Sequence, residues 1–355
     1  MEDTAIIAPH FQDPGKAREF LEAKRWPDGP ECPHCGVVGE SYRLTADTEN
    51  PAAKTHARKG VWKCGACREQ FTVTVGTIME DSHIPSNKWL FAFHLLCASK
   101  KGISAHQLHR MLGVTYKSAW FMAHRIRYAM TQEPLSSKLK GIVEIDEAYV
   151  GGRRRVKNQP SNEKPEVDKG TEIKKFFARK EHHGNKGIPP FDGKAAVISL
   201  VQRGGKVRSM HVESVTGKTL KPILDEMLHK DVHVMTDSSS VLDFSKKKEG
   251  REHDKVNHSA REYVRYENGL CITTNAVEGY FANLKRGING VYHHVGKQHL
   301  QRYLTEFDFR YNAREVSDVG PPRSGHQTGW RKELEGQGLI RKEDGRCAVL
   351  NLKKP

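Results

Sequence analysis

The stretch Gly141-Ile142-Val143-Glu144-Ile145-Asp146-Glu147-Ala148-Tyr149-Val150 decides the architecture. Its aliphatic and β-branched residues favour an extended strand, and the run is too short for a buried helix. Asp146 is expected at the end of that strand. A second apolar run, Val232-His233-Val234-Met235-Thr236-Asp237, also ends on an aspartate. Glu278 lies near the start of a helical stretch, Thr274-Asn275-Ala276-Val277-Glu278-Gly279-Tyr280-Phe281-Ala282-Asn283-Leu284-Lys285-Arg286. A sheet can gather strand-end carboxylates while a helix brings in a third, and three such groups suit hard divalent cations. Strands and helices in the order strand, strand, helix make the expected class α/β. Two-metal phosphoryl transfer uses this kind of oxygen-rich site.

Each carboxylate also has a plainer reading. Asp237, followed by Ser238-Ser239-Ser240, could cap a helix. Strand alternation puts Glu144 on the face of Asp146, as a fallback ligand, and sends Glu147 to the other face as a peripheral residue. Glu278 and Lys285 are seven residues apart, so they share a helix face about 10 Å apart along the axis. Lys285 is then too distant to join the carboxylates but well placed to hold a phosphate. Asn275 could cap the helix or help position water. Arg286, His293, His294 and Lys297 add donors beyond, or pack the helix end.

Charge points to the partner. The 355 residues carry 58 Lys+Arg against 43 Asp+Glu, a net charge of +15. Such a balance favours nucleic acid. The longest apolar stretch, Trp89 to Ala98, is about half of what crosses a bilayer, and the start of the chain lacks a secretory leader. Four of the seven cysteines fall in two C-x-x-C pairs, which indicates metal in a reducing compartment rather than disulfides. A cytoplasmic location is expected.

The pairs are Cys32-Pro33-His34-Cys35 and Cys64-Gly65-Ala66-Cys67. Two such turns complete a tetrahedral four-thiolate zinc site with no open position, hence a structural one. His34 could compete as a ligand but sits inside its turn. A strand over Gln70–Val75 should follow the second pair. Next, Ser104 can cap a short helix, Gly113 can end it, and a second helix can start after Thr115. Leu108, Leu112 and Val114 should bury against Trp120 and Met122–Ala123. That would expose Tyr116, Lys117, Ser118, His124, Arg125 and Arg127 on a helix able to enter a major groove. An ordinary helical hairpin would read the same way.

The chain therefore divides into a zinc-ribbon head (1–80), a helical helix-turn-helix-like segment (81–138), an α/β catalytic domain (139–318) and a basic peripheral tail (319–355). Residues 1–31 read as short, polar and proline-interrupted. Within the catalytic domain, apolar runs at 195–201 and 207–215 are strand-like. Gly217–Lys230 is an amphipathic helix, and 299–314 a last one. A basic loop inserts at 151–192, with 11 Lys/Arg and 6 Asp/Glu.

Several of these stretches match a known group. Cys-Pro-His-Cys-Gly at 32–36, Phe-Thr-Val-Thr-Val-Gly-Thr-Ile-Met at 71–79, Glu-Ile-Asp-Glu-Ala-Tyr-Val-Gly-Gly at 144–152, Thr-Asp at 236–237, and the segment 275–295 carry the match. The chain resembles bacterial insertion-sequence transposases of the DDE class, in the ISXO-like group with a zinc-ribbon head. The resemblance implies a ribonuclease H-like domain that cuts and joins double-stranded DNA at a mobile element's ends. It implies two Mg²⁺ or Mn²⁺ ions, with Asp146 and Asp237 as paired aspartates and Glu278 as the third acid. Asn275 and Lys285 fall on the group's Asn and Lys, and Asn275 competes with Glu278 for the third position. DNA contacts are expected from Tyr116, Lys117, Arg125, Lys285 and Arg286, and at least a dimer on the two DNA ends. A nuclease of the same fold without a joining step, or a zinc-ribbon regulator without catalysis, are the rival readings.

Overall fold

A computed structural model describes residues 8–44, 59–131, 138–151, 194–237 and 251–314, together with the backbone of 342–343 and 346–347. Residues 152–193, which include all but the first residue of the basic loop 151–192, and most of the tail lie outside the described residues, as do residues 132–137 and 238–250.

Two short helices open the described chain, α1 (Pro9–Gln12) and α2 (Pro14–Arg25). These lie in the stretch 1–31, read from sequence only as short, polar and proline-interrupted. Asp13 caps α2 by accepting from the Lys16 N–H at 2.7 Å, and Pro14 occupies the first turn. A proline costs nothing there, because that N–H would be unpaired anyway. Strands β1 (Ser41–Arg43), β2 (Trp62–Cys64) and β3 (Gln70–Phe71) form an antiparallel ribbon. The strand expected over Gln70–Val75 stops at Phe71. The carbonyls of Val73 and Val75 instead accept from Arg25 Nη1 at 2.6 and 2.7 Å, so a guanidinium from α2 takes the place of a strand neighbour.

Helices α3 (Ser86–Ala98), α4 (Ala105–Leu112) and α5 (Tyr116–Ala129) follow. Ser104 caps α4 through the Gln107 N–H, and Gly113 ends it in the left-handed region at φ 59°. Thr115 caps α5 through the Ser118 N–H. Leu108, Leu112, Met122 and Ala123 are buried in one core with Trp89, the ribbon residue Phe71, Cys32 and Cys64. Trp120 departs from expectation: it stays 36 % exposed, with its ring centre 4.1 Å from that of His124.

The second half is a five-stranded mixed sheet in the order β6-β5-β4-β7-β8. Its strands are β4 (Ile142–Val150), β5 (Ala195–Gln202), β6 (Val207–Val212), β7 (His233–Asp237) and β8 (Glu252–Val256). β4, β5 and β6 pair antiparallel, while β7 and β8 add in parallel. This is the strand arrangement of a ribonuclease H-like α/β sheet. Helix α6 (Gly217–Met227) covers one face, burying Leu220, Leu224 and Met227 against Val143, Ile145, Ile198 and Val234. Helices α7 (Asn275–Gly287) and α8 (Lys297–Asn312) cover the other, against Ala148, Val150, Val197 and Val201. A hairpin of β9 (Val264–Glu267) and β10 (Leu270–Thr273) lies between β8 and α7. The sequence reading missed both four-residue strands, although the Asn268-Gly269 turn between them, left-handed at φ 49° and 77°, is a hairpin signal.

The two halves meet at a buried ion network. Arg127 of α5 is 2 % exposed and donates from Nε to Glu306 of α8 at 2.5 Å. Arg310 pairs with the same carboxylate, Tyr292 donates to it at 2.6 Å, and the Arg127 guanidinium lies 4.0 Å from the Tyr303 ring centre. Arg127 is thus not on an exposed groove-reading face, as expected, but inside. His124 is buried beside it among Trp120, His299 and Tyr303. Desolvation, reinforced by the Arg127 charge, lowers its pKa to about 3 and keeps it neutral. Arg125 is also committed: its Nη1 donates to the carbonyls of Ile78 and Glu80 at 2.7 and 2.9 Å. The helix has only one outward face, and docking against α8 uses the stripe that periodicity alone leaves to solvent. Tyr116 and Lys117 remain exposed, with Phe121 and Tyr128. No helix among the described residues is long and apolar enough to cross a membrane.

Candidate active site and cysteine cluster

β4 and β7 run parallel with Ile145 level with Thr236, so the next residues, Asp146 and Asp237, stand side by side. Oxygens of Asp146, Asp237 and Glu147 lie within 4.8 Å of one another. Glu147 was expected to be peripheral. Its side chain does leave the strand opposite to Asp146, but the site forms where β7 ends at Asp237, and there its carboxylate reaches the same cluster. One Asp146 oxygen accepts the Glu147 N–H at 2.8 Å.

Crowding shifts both titrations upward. Burial raises Asp146 from 3.8 to about 6, with Asp237 and Glu278 adding to the rise and Lys285 opposing it. Burial, then Asp237 and Asp146, raises Glu147 to about 7. Acidic groups held this close favour one another's protonated forms. Glu147 Oε2 is buried and has no hydrogen-bond partner among the described residues. An all-oxygen donor set with an orphaned carboxylate oxygen fits a hard divalent cation.

Glu278 sits one turn into α7, outside that tight group but within electrostatic reach of Asp146. Thr274 Oγ1 donates to its Oε1 at 3.2 Å, and His258 Nε2 lies 3.3 Å from the same oxygen. His258 also contacts Thr274 Oγ1 at 3.1 Å. The sequence reading missed His258. It stands on a single 3₁₀ turn, His258–Ala260, whose nearness to α7 only the fold creates. Asn275 is the exposed first residue of α7, and its backbone N–H turns to Thr273 Oγ1 at 3.3 Å, so its side chain makes no cap. Lys285 and Arg286 are exposed, and Lys285 Nζ lies 5.9 Å from the Phe281 ring centre. His293, His294 and Lys297 are exposed beyond them.

Glu144 does not serve as a fallback ligand. It is 1 % exposed, accepts Arg203 Nε at 2.7 Å, and accepts the α7 N–H groups of Ala276 and Val277 at 2.7 and 3.1 Å. Two residues before Asp146 means about 7 Å further back along the strand. There the carboxylate meets the helix N-terminus, where amide dipoles favour a negative charge. Arg203 also donates to the carbonyls of Cys271 and Thr273 at 2.6 and 3.0 Å. Glu144 and Arg203 therefore tie β4, β10 and the start of α7 into one block beneath the acidic cluster.

At the other end of the chain, the sulfurs of Cys32, Cys35, Cys64 and Cys67 lie within 4.8 Å of one another. The pairs Cys32–Cys67 and Cys35–Cys64 are each 3.6 Å apart. Thiolates about 2.3 Å from a tetrahedral zinc are ~3.8 Å apart, so the cluster fits that ion. The Cys67 N–H draws the Cys64 thiol down to about 6, while burial and the neighbouring sulfurs push the Cys67 thiol up to about 12. Each knuckle turns back through a left-handed residue, Gly36 at φ 76° and Arg68 at φ 65°. His34 is exposed and outside the cluster.

Residues 138–312 match the model of the ISXO2-like transposase domain, and residues 13–70 match the transposase zinc-ribbon domain. An "Uncharacterized transposase-like protein" of Haemophilus influenzae is 32% identical over 116 residues, which is 31% of this chain and 85% of that protein. The chain belongs to the ISXO2-like transposase family. The family groups it with DNA-processing enzymes, and the two matched regions contain the acidic cluster and the four cysteines respectively. Helices α3 to α5 fall between the matched regions.

Proposed function

We propose that this chain is a metal-dependent DNA transposase that cuts at the ends of an insertion sequence and joins the freed ends to target DNA. The observation that carries the reading is the Asp146–Glu147–Asp237 cluster on the two adjacent inner strands β4 and β7 of a ribonuclease H-like sheet, with Glu278 and Lys285 acting on Asp146 from α7. Asp146 and Asp237 would hold divalent ions, with Glu147 or Glu278 completing the oxygen set. When bound, such ions supply charge stabilisation for the attacking and leaving oxygens of an in-line phosphoryl transfer.

The chain's own groups do the rest. Glu144 fixes the start of α7 against β4, so that Glu278 and the sheet aspartates keep one geometry. His258 and Thr274 hold one oxygen of the Glu278 carboxylate. Lys285, about two turns further along α7, would hold a non-bridging phosphate oxygen of the strand crossing the site. Tyr116 and Lys117 at the exposed start of α5 would meet DNA in a groove, with the cysteine head, carrying zinc, as a structural staple. Two element ends must be handled together, so the working complex would be at least a dimer.

The test is cleavage of labelled element-end DNA with Mg²⁺ or Mn²⁺. Asp237→Ala should abolish cutting and leave binding of the ends largely intact. Continued strand cleavage by that variant would remove the assignment. Supplying a pre-cut 3′-hydroxyl end and looking for joined product separates a transposase from a nuclease of the same fold.

A further inference from the structure

β8 runs parallel to β7 and ends with Val256 level with Asp237. Two residues further on, His258 leaves the sheet at the same end as Asp237. Open α/β sheets bind their ligands beyond the carboxyl ends of parallel strands, so a polar side chain placed there is within reach of a site.

The backbone that carries His258 is firmly braced. Asn257 Oδ1 accepts the Ala260 N–H at 3.2 Å, and the Asn257 carbonyl accepts the Glu262 N–H at 3.1 Å. The Asn257 N–H donates to Glu262 Oε2 at 3.3 Å, and Arg261 closes the turn in the left-handed region at φ 58°. Beyond the turn, Thr273 Oγ1 donates to the Tyr263 carbonyl at 3.1 Å. The Tyr263 ring centre lies 5.5 Å from that of His258.

This bracing delivers the imidazole to one carboxylate oxygen. Thr274 Oγ1 donates its proton to Glu278 Oε1 at 3.2 Å. His258 Nε2 stands 3.1 Å from that hydroxyl oxygen and 3.3 Å from Oε1, so the hydrogen on Nε2 is shared between the two oxygens. With that hydrogen in place, Nε2 has no lone pair to offer a metal. Glu278 Oε2 has no hydrogen-bond partner among the described residues. The Glu278 side chain is 47 % exposed, and a glutamate on an open helix surface otherwise turns among several rotamers. Its charge contributes to the raised pKa of Asp146, so the two carboxylates are electrostatic neighbours. Carboxylates that ligate metals are themselves oriented by hydrogen bonds from outer partners.

We infer that His258 is a positioning residue for the candidate cation site: with Thr274 it fixes Glu278 by Oε1, which leaves Oε2 to join Asp146 in holding a divalent ion. The inference rests on the metal-dependent reading above and adds the group that holds Glu278 ready. A plain loop staple would need only the bond between His258 and Thr274, and the contact with Glu278 would then be without effect.

The test is Mn²⁺ binding to the full, zinc-loaded chain without DNA, read as free Mn²⁺ by electron paramagnetic resonance. His258→Leu keeps bulk beside Tyr263 and removes the donor. It should weaken Mn²⁺ binding by about 10- to 100-fold, the usual loss when an outer partner of a metal ligand is removed. His258→Gln, whose amide nitrogen can stand where Nε2 does, should recover most of that loss. In a Glu278→Ala background His258→Leu should weaken binding no further, because the residue acts through that carboxylate. Unchanged Mn²⁺ affinity in His258→Leu would overturn the inference. So would an equal loss with and without Glu278, which is the mark of a staple. If His258→Leu does not fold, Thr274→Val removes the other donor and is read by the same cycle. Wild-type cleavage of element ends together with His258-independent Mn²⁺ binding would sink this inference alone. His258-dependent Mn²⁺ binding by a chain that cuts no DNA would sink the transposase reading alone.

Discussion

Replacing Asp146 by asparagine should stabilise the protein while destroying its proposed chemistry. The Asp146 carboxyl is raised from 3.8 to about 6, chiefly by burial and then by Asp237 and Glu278. A folded-state pKa above the unfolded one means that the native state binds the extra proton, so stability falls as pH rises between those two values. Two units at ~1.4 kcal/mol each give a ceiling of ~3 kcal/mol lost by neutral pH. Partial access to water trims this to ~2 kcal/mol. Asparagine keeps an oxygen to accept the Glu147 N–H and carries no charge. At pH 8, with only stoichiometric zinc present, Asp146→Asn should therefore melt about 4–8 °C above the wild type by calorimetry. Near pH 4 the wild-type carboxyl is itself protonated when folded, and the two should melt together. Saturating Mn²⁺ at pH 8 should reverse the order, since ~100-fold excess over Kd stabilises a binding-competent site by ~2.7 kcal/mol and the variant has lost a ligand. A variant that melts at or below the wild type at pH 8, or gains equally at pH 4, would refute the view of this site as a charge cluster awaiting cations.

Other perturbations test the scaffold. Glu306→Leu leaves Arg127 and Arg310 buried without their shared carboxylate, so a loss of ~3–5 kcal/mol is expected in denaturant titration, along with looser coupling of α5 to α8. Gly102→Ala should also unfold early. The residue is left-handed at φ 87°, and an added Cβ would meet the Tyr292 hydroxyl at 1.8 Å. A melting point within a degree of the wild type would contradict that close approach. Cys64→Ser should release zinc, measured with a chromogenic chelator, and expose Trp62 and Phe71 of the ribbon to fluorescence quenching, because the Cys64 sulfur is part of that core.

Much of the site was legible because its signals are local. The cysteine knuckles depend on a two-residue spacing. The caps at Ser104 and Thr115 depend on one hydroxyl three residues before an amide. The apolar run Ile142–Val150 is a strand in the fold with the same bounds as in the sequence. The Glu278–Lys285 face follows from helical pitch, and both residues act on Asp146. The errors arose where one residue has two local readings. Glu144 and Glu147 flank Asp146, and alternation correctly gives the face each leaves from, but not what waits there. Arg125, Arg127 and His124 are polar residues on a helix, which sequence assigns to solvent unless another helix covers them.

Sequence by itself determined the four-thiolate cluster, the helices around Gly113 and the strands that carry Asp146 and Asp237, because knuckle spacing, capping and strand periodicity act over a few residues. Tertiary structure alone decided that Glu147 joins those aspartates, that Glu144 anchors α7, that His258 reaches Glu278, and that Arg127 is locked onto Glu306. Those outcomes depend on desolvation and on charges separated by a few ångströms in space yet by up to 179 positions in the chain, and no local pattern encodes such distances.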